Sequence, residues 1–159
     1  MGRLIASDSM PVIVIGADTD LGEAVLDALL PRESEIRAFV SSPEAADGLR
    51  RRGLKVALGD VSDGSHVSAA ARDVFCAVLV ATAARDARER SFAASEDAVM
   101  AAWEDAMREA GVRRVIWLDD GGAAGSSTAA TETVRVDAAG RDPTTVATEV
   151  ARLEGAARL

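Results

Sequence analysis

Short apolar runs alternate with longer amphipathic stretches along this chain. The first run, residues 11–15, shows no alternation with polar residues, a pattern typical of a strand that is buried on both faces of a parallel sheet. The apolar runs predict strands at residues 12–15, 36–40, 55–58, 74–80 and 114–118. Residues 133–136 are a candidate for a short extra strand.

The amphipathic stretches predict helices between these strands. After the first strand, leucine and valine recur every four positions, which places them on one face of a helix. Ser42 and Asp142 each precede a proline, and this pairing favours a helix that the polar residue caps. The longest helix is predicted over residues 91–110, with Trp103 and Met107 on its apolar face.

The alternation of strands and helices predicts successive βαβ units, whose right-handed crossovers build a doubly wound parallel sheet. The predicted fold class is therefore α/β and Rossmann-like, with the strand order 3-2-1-4-5. A length of 159 residues fits a single domain, residues 1–159. Within it we expect residues 1–10 to be flexible and residues 119–131, rich in Gly, Ser and Ala, to form a mobile loop.

Composition and charge narrow the classes of partner and site. The formal net charge of −8 argues against binding to nucleic acid and to anionic membrane surfaces. No apolar stretch approaches the ~20 residues needed to span a bilayer, so no membrane partner is expected. The single cysteine, Cys76, lies in an apolar run; we interpret it as a core residue of a cytoplasmic protein. His66 is the one histidine, and no metal site is expected.

A glycine-containing loop follows the first strand, at the edge of the sheet where such folds bind ligands. The loop reads Gly16-Ala17-Asp18-Thr19-Asp20-Leu21-Gly22 and leads into a helix. It is similar to the Gly-Ala-Thr-Gly-x-x-Gly loop of the atypical short-chain dehydrogenase/reductase group, in particular the NmrA-like proteins. Residues 36–53, 56–61 and 111–116 also resemble segments of that family, in the same order.

The resemblance implies a site for NAD or NADP along this edge. Gly16 would make the tight turn, the amides of residues 17–21 would face the pyrophosphate, and Gly22 would let helix and strand approach. The adenine would lie near Asp60 and Val61. Ser41 and Ser42 stand where the family discriminates NAD from NADP. Ala81, Thr82 and Ala83 would line the ribose on the nicotinamide side.

The glycine loop departs from the family pattern at two positions, Asp18 and Thr19, and carries a second acidic residue at Asp20. Thr19 replaces the middle glycine, so we expect its β-carbon to crowd the phosphate or to strain the backbone at positive φ. Asp18 and Asp20 place carboxylates beside a dianionic pyrophosphate. One such pair of charges about 6 Å apart costs roughly 3 kcal/mol if the side chains point inward. The cost is small if they point to solvent or cap the helix.

No catalytic residue can be assigned from the sequence. The chain has no tyrosine, which excludes the reaction that the family's Tyr-x-x-x-Lys pair performs. Asp119 and Asp120 stand where the family has a Ser-rich segment. We interpret them as an exposed acidic loop, with an acid/base pair or a cation site as the alternatives. We also expect the chain to end before the family's sixth strand.

Three functions remain open. The first is an NAD(P)-binding protein without tyrosine-dependent catalysis, serving as a redox sensor or an accessory protein. The second is a small NAD(P)H-dependent reductase that positions the nicotinamide beside a flavin or quinone. The third is an interaction module whose ligand site has decayed. A homodimer is also predicted, through the helix that carries Trp103 and Met107.

Overall fold

The strands form one parallel sheet in the computed structural model, which describes residues 10–32, 34–121 and 132–159. They are β1 (Val12–Ile15), β2 (Ile36–Val40), β3 (Lys55–Leu58), β4 (Cys76–Val80), β5 (Arg114–Asp119) and β6 (Glu132–Asp137). Their order in the sheet is β3-β2-β1-β4-β5-β6. The predicted order of the first five strands is therefore confirmed.

The candidate strand at residues 133–136 is present as β6, at the edge of the sheet. β6 pairs in parallel with β5 over its whole length, from Glu132 beside Arg114 to Asp137 beside Asp119. Its sequence alternates polar and apolar residues, and Val136 is its one fully buried residue. An edge strand of this kind has a weaker hydrophobic signal than a central strand, because one of its faces meets solvent.

Helices cover both faces of the sheet. They are α1 (Asp20–Leu29), α2 (Pro43–Arg51), α3 (Gly64–Ala70), α4 (Thr82–Arg85), α5 (Glu96–Ala110) and α6 (Pro143–Gly155). Neighbouring residues of a strand face opposite sides, so the sheet separates two hydrophobic cores. Val14 packs into the core beneath α1 and α6, and Ile13 packs into the core beneath α3 and α5.

Side-chain caps fix where the helices begin. In five helices the residue before the first turn accepts a hydrogen bond from a backbone amide of that turn: Thr19, Ser42, Asp63, Ser95 and Asp142. A cap of this kind contributes about 1 kcal/mol to stability. The cap at Ser95 also corrects the predicted helix over residues 91–110, because α5 begins only at Glu96.

The two large residues on the predicted apolar face of α5 lie inside the domain. Trp103 and Met107 have no exposed surface. The Trp103 ring stacks against Trp117 with 6.3 Å between the ring centroids, and its Nε1 donates to the carbonyl oxygen of Val61 at 2.7 Å. An interface through Trp103 and Met107 is therefore wrong, and the homodimer itself stays a prediction.

The segments predicted to be mobile fall mainly outside the described residues. Residues 1–9 and 122–131 lie there. Asp119 was assigned to the mobile loop, but it is the last residue of β5 and is buried. In the three described ranges, no helix combines the length and the apolar content that a bilayer crossing requires.

A buried arginine fastens the opposite edge of the sheet, where the strands begin. Arg114 is 1% exposed, and its guanidinium lies 5.1 Å from the centre of the Phe75 ring. Its Nη1 donates to three carbonyl oxygens at the end of α6, at distances of 2.6–3.0 Å. Its Nε and Nη2 donate to the carboxylate of Glu132 at 3.0–3.2 Å. One side chain thus joins β5, β6 and the end of α6.

Candidate functional site

The turn between β1 and α1 brings helix and strand together at two glycines. Gly16 has a φ of 87°, a conformation that favours glycine, and a β-carbon there would lie 2.7 Å from the Cβ of Ala83. A β-carbon on Gly22 would lie 2.7 Å from the Cα of Ala17 and closer still to the carbonyl oxygen of Gly16. The close approach predicted for Gly22 is present in the structure.

Thr19 does not strain the loop. Its φ is −107°, so the strain expected for a threonine at positive φ does not arise. The Thr19 hydroxyl donates to the carbonyl oxygen of Gly16 at 2.7 Å and accepts from the amide of Gly22 at 3.0 Å. A threonine at this position therefore stabilises the turn through its hydroxyl group and caps α1, which glycine cannot do because it has no side chain.

The first turn of α1 presents unpaired amides. Among the described residues, no protein acceptor pairs with the amides of Asp20 and Leu21, the first two residues of the helix. Such amides, together with the helix dipole, favour an anion at a helix N-terminus. The Asp20 side chain is exposed and is free to stay in solvent.

Asp18 is directed sideways, towards the end of β2. Its Oδ2 accepts from the amides of Ser41 at 2.8 Å and Ser42 at 3.2 Å. Its Oδ1 pairs with Nη1 of Arg88 at 2.8 Å, and the Asp18 side chain is 7% exposed. The predicted repulsion of the pyrophosphate by two inward carboxylates is thus reduced, because the charge of Asp18 is compensated locally.

A cleft of about 620 Å³ opens beside Asp18 at the carboxyl ends of β2 and β3. It brings together four of the residues predicted for the site, Asp18, Ser41, Ser42 and Asp60. Its other lining residues were not predicted: Gly59, Arg88, Glu89, Ser91 and Phe92. The cleft and the unpaired amides of α1 adjoin each other, since Asp18 lies two residues before the helix begins.

Asp60 lies at the centre of a small hydrogen-bond network in this cleft. Its Oδ1 accepts from the amide of Ser62 at 2.8 Å and from the Ser62 hydroxyl at 2.5 Å. Its Oδ2 accepts from the amide of Ser91 at 2.7 Å. Burial acts to raise the pKa of the Asp60 carboxyl, but the hydrogen bonds from Ser62 and Ser91 outweigh it and lower that pKa. Asp60 is therefore ionised at neutral pH.

Residues 86–92 form the wall of the cleft that sequence reasoning missed. Arg88 pairs with Asp86 at 2.6 Å as well as with Asp18. Burial acts to lower the pKa of the Arg88 guanidinium, but the hydrogen bonds to Asp86 and Asp18 raise it, so its charge is kept. Phe92 is 65% exposed, and its amide donates to the Ser62 hydroxyl at 2.9 Å.

A signal for this wall does exist in the sequence. Residues 85–90 alternate between arginine and acidic or small residues without a helical period, and Ser95 followed by Glu96 is a helix-start signature. Together they indicate a separate segment before α5. Which of its side chains would reach the cleft depends on tertiary packing and has no local signal.

Several predicted residues support the site from beneath. Ala17, Val61, Ala81 and Ala83 have no exposed surface. The Thr82 hydroxyl is also buried, and it has no hydrogen-bond partner among the described residues. Contact of these residues with a ribose or an adenine therefore stays a prediction, and backbone groups would have to make most of it.

The end of β5 carries a buried carboxylate held by two arginines. Asp119 is 2% exposed; its Oδ1 pairs with Nη2 of Arg85 at 2.8 Å, and its Oδ2 pairs with Arg135. Asp120, which is exposed, also pairs with Arg85, at 2.6 Å. The interpretation of both residues as an exposed acidic loop is therefore wrong for Asp119, whose charge is neutralised inside an ion-pair cluster.

The single cysteine and the single histidine have structural positions. Cys76 is fully buried in β4, and burial raises the pKa of its thiol to about 12, so no thiolate is available for chemistry at neutral pH. The His66 ring meets the Phe39 ring edge-on, with 5.1 Å between the centroids. The interpretation of Cys76 as a core residue is confirmed.

Comparisons with known proteins point to NAD or NADP, the ligand class expected from the sequence. A family model described as NAD(P)H-binding matches residues 16–151. No curated protein matches the chain in sequence.

Solved structures share the fold at low identity. An NADPH-dependent quinone oxidoreductase from Escherichia coli, complexed with NADPH, superposes with a TM-score of 0.56 at 23% identity, over 68% of this chain and 36% of its own. An anaerobillin reductase from Escherichia coli O157:H7 superposes with a TM-score of 0.56 at 24% identity, over 72% of this chain and 53% of its own. A triphenylmethane reductase from Citrobacter sp., complexed with NADP(H), superposes with a TM-score of 0.57 at 18% identity, over 90% of this chain and 46% of its own. The chain thus spans about a third to a half of these proteins.

Proposed function

The chain belongs to the NAD(P)H-binding family, and from this premise we propose that it holds the dinucleotide across the α1 N-terminus and the adjoining cleft. The observation that carries the proposal is the pair of unpaired amides at Asp20 and Leu21, brought up to the sheet by Gly22. These amides are suited to the pyrophosphate, which needs donors and positive potential but no side chain.

The cleft is suited to the adenosine half. Asp60 and the two serines offer polar groups for the sugar and the base, and Phe92 offers an exposed aromatic face. An exposed phenylalanine is unusual in a chain with 3% aromatic residues, and a planar base is a natural partner for it. The cleft volume of about 620 Å³ falls in the range typical of small-molecule sites.

The protein's own groups would bind and orient the dinucleotide. None of them would replace the tyrosine that donates a proton to the substrate in a tyrosine-dependent reaction. A bound NAD(P)H supplies a hydride at its nicotinamide ring. The chain has no tyrosine, and Asp119 at the end of β5 is engaged by Arg85 and Arg135. We therefore favour a dinucleotide-binding protein that senses the redox state of the cofactor or serves as an accessory protein.

A reductase is the second candidate, and the named structural neighbours favour it. Two of them are a quinone oxidoreductase and a triphenylmethane reductase. An acceptor such as a quinone or a flavin can take the hydride directly and its proton from water, so no tyrosine is required. Oxidation of NADH or NADPH that depends on both this chain and an added quinone would favour the reductase over the sensor.

Removing the aromatic ring of Phe92 from the cleft tests the proposed site. Phe92→Ala should weaken NADH binding by about tenfold in calorimetric titration, because stacking of a base on an aromatic side chain is worth about 1–3 kcal/mol. Leu30→Ala is the matched control, since Leu30 is also exposed but lies at the far end of α1. Its binding should equal that of the wild type. Equal affinity of Phe92→Ala and the wild type would place the adenine elsewhere.

A further inference from the structure

We infer that Asp18 makes this site selective for NAD(H) over NADP(H), an inference that rests on the dinucleotide site proposed above. The Asp18 carboxylate is held by the amides of Ser41 and Ser42 and by the Arg88 guanidinium. The Asp18 and Arg88 side chains are 7% and 14% exposed. The cluster is thus part of the wall of the cleft and not a loose surface pair.

These three donors are the groups that a phosphate needs. Two successive backbone amides and a guanidinium bind carboxylate and phosphate oxygens with the same geometry. In Rossmann-like folds the end of the second strand lies at the adenosine ribose, where NADP carries its extra 2′-phosphate and NAD carries a hydroxyl. Here Ser41 and Ser42 follow β2, and their amides are already occupied by an anion of the chain itself.

The charge of the cleft also opposes a second phosphate. Its lining includes the carboxylates of Asp18, Asp60 and Glu89, against the single guanidinium of Arg88. Arg88 is further engaged by Asp86. A 2′-phosphate would therefore have to displace Asp18 and to face this excess of negative charge. The 2′-hydroxyl of NAD(H) instead donates a hydrogen bond to a carboxylate, so the same surroundings favour it.

Two structural neighbours are complexed with NADPH or NADP(H), so the selectivity of this chain would be a departure from them. Asp18 is the residue responsible, because its carboxylate occupies both amides of the pair. Removing its carboxylate should leave the amides of Ser41 and Ser42 and the Arg88 side chain available to a phosphate.

The test is calorimetric titration of the full chain with NADH and with NADPH. The wild type should bind NADH more tightly. Asp18→Ala should shift the ratio of the two affinities towards NADPH by about tenfold or more, the change expected when one hydrogen bond to a charged group is gained. Asp18→Asn, which keeps the shape of the side chain, should shift the ratio in the same direction. The double variant Asp18→Ala/Arg88→Gln should lose the gain, because the guanidinium is then missing.

Asp20→Asn is the matched control. It removes an exposed carboxylate two positions along the chain from Asp18, at the first residue of α1. It should move both affinities together and leave their ratio unchanged. Tighter binding of NADPH than of NADH by the wild type would overturn the inference, as would an unchanged ratio in both folded Asp18 variants. In either case the proposed dinucleotide site would stand. Absence of binding by every variant and both dinucleotides would overturn the proposed function as well.

Discussion

Gly22→Ala should lower the free energy of unfolding by about 3 kcal/mol, the upper part of the usual range for overpacking. The added β-carbon would lie 2.7 Å from the Cα of Ala17 and closer still to the carbonyl oxygen of Gly16. Both neighbours are backbone atoms and cannot rotate away, so α1 must shift from β1. Urea unfolding measures the loss, and titration with NADH should show no binding by the folded variant.

Gly48→Ala is the control for the added methyl group itself. Gly48 lies within α2, and no atom would come within 4 Å of its new β-carbon. This variant should be more stable than the wild type by about 0.5–1 kcal/mol, since alanine loses less backbone entropy in a helix. If Gly22→Ala unfolds at the urea concentration of the wild type, the close contact between helix and strand is wrong.

Arg114→Ala should lower the free energy of unfolding by about 3–4 kcal/mol, as expected when one partner of a buried charged network is removed. The loss leaves three carbonyl oxygens at the end of α6 and the Glu132 carboxylate without their donor. Arg114→Lys should recover only part of this stability, because one ammonium group cannot reach all four acceptors. Thermal unfolding followed by circular dichroism measures both losses.

The matched control is Arg108→Ala, which removes an arginine from an exposed pair with Asp105 on α5. Its effect should stay below about 0.5 kcal/mol, because exposed ion pairs contribute little. A loss at Arg114 no larger than the loss at Arg108 would mean that α6 and β6 do not depend on the buried guanidinium.

Much of the fold could be predicted because its signals are local. The strands β1 to β5 are apolar runs, and the prolines and capping residues mark helix starts such as Ser42 and Asp142. β6 was predicted only as a short extra strand, since its exposed face dilutes the apolar signal. The helical period placed Trp103 and Met107 on the apolar face of α5, but it could not show that α3 is the helix that packs beside them.

The candidate site divides in the same way. The glycine loop and Asp60 could be placed, because they lie at strand ends within a recognisable pattern. The directions of Asp18 and Thr19 could not be predicted, since each is set by partners that the fold brings near. Asp18 meets Arg88, 70 positions away, and the amides of Ser41 and Ser42. Thr19 turns back to the carbonyl oxygen of Gly16.

Backbone amide signals in nuclear magnetic resonance spectra test the proposed site most directly. On addition of NADH, the signals of residues 18–22, 41–42, 60–61 and 91–92 should shift together and saturate. Those around Arg114 and the end of α6, at the opposite edge of the sheet, should stay in place. No shift with about 1 mM NADH, a concentration that detects even weak complexes, would contradict the account. Shifts confined to the edge around Arg114 would contradict it equally.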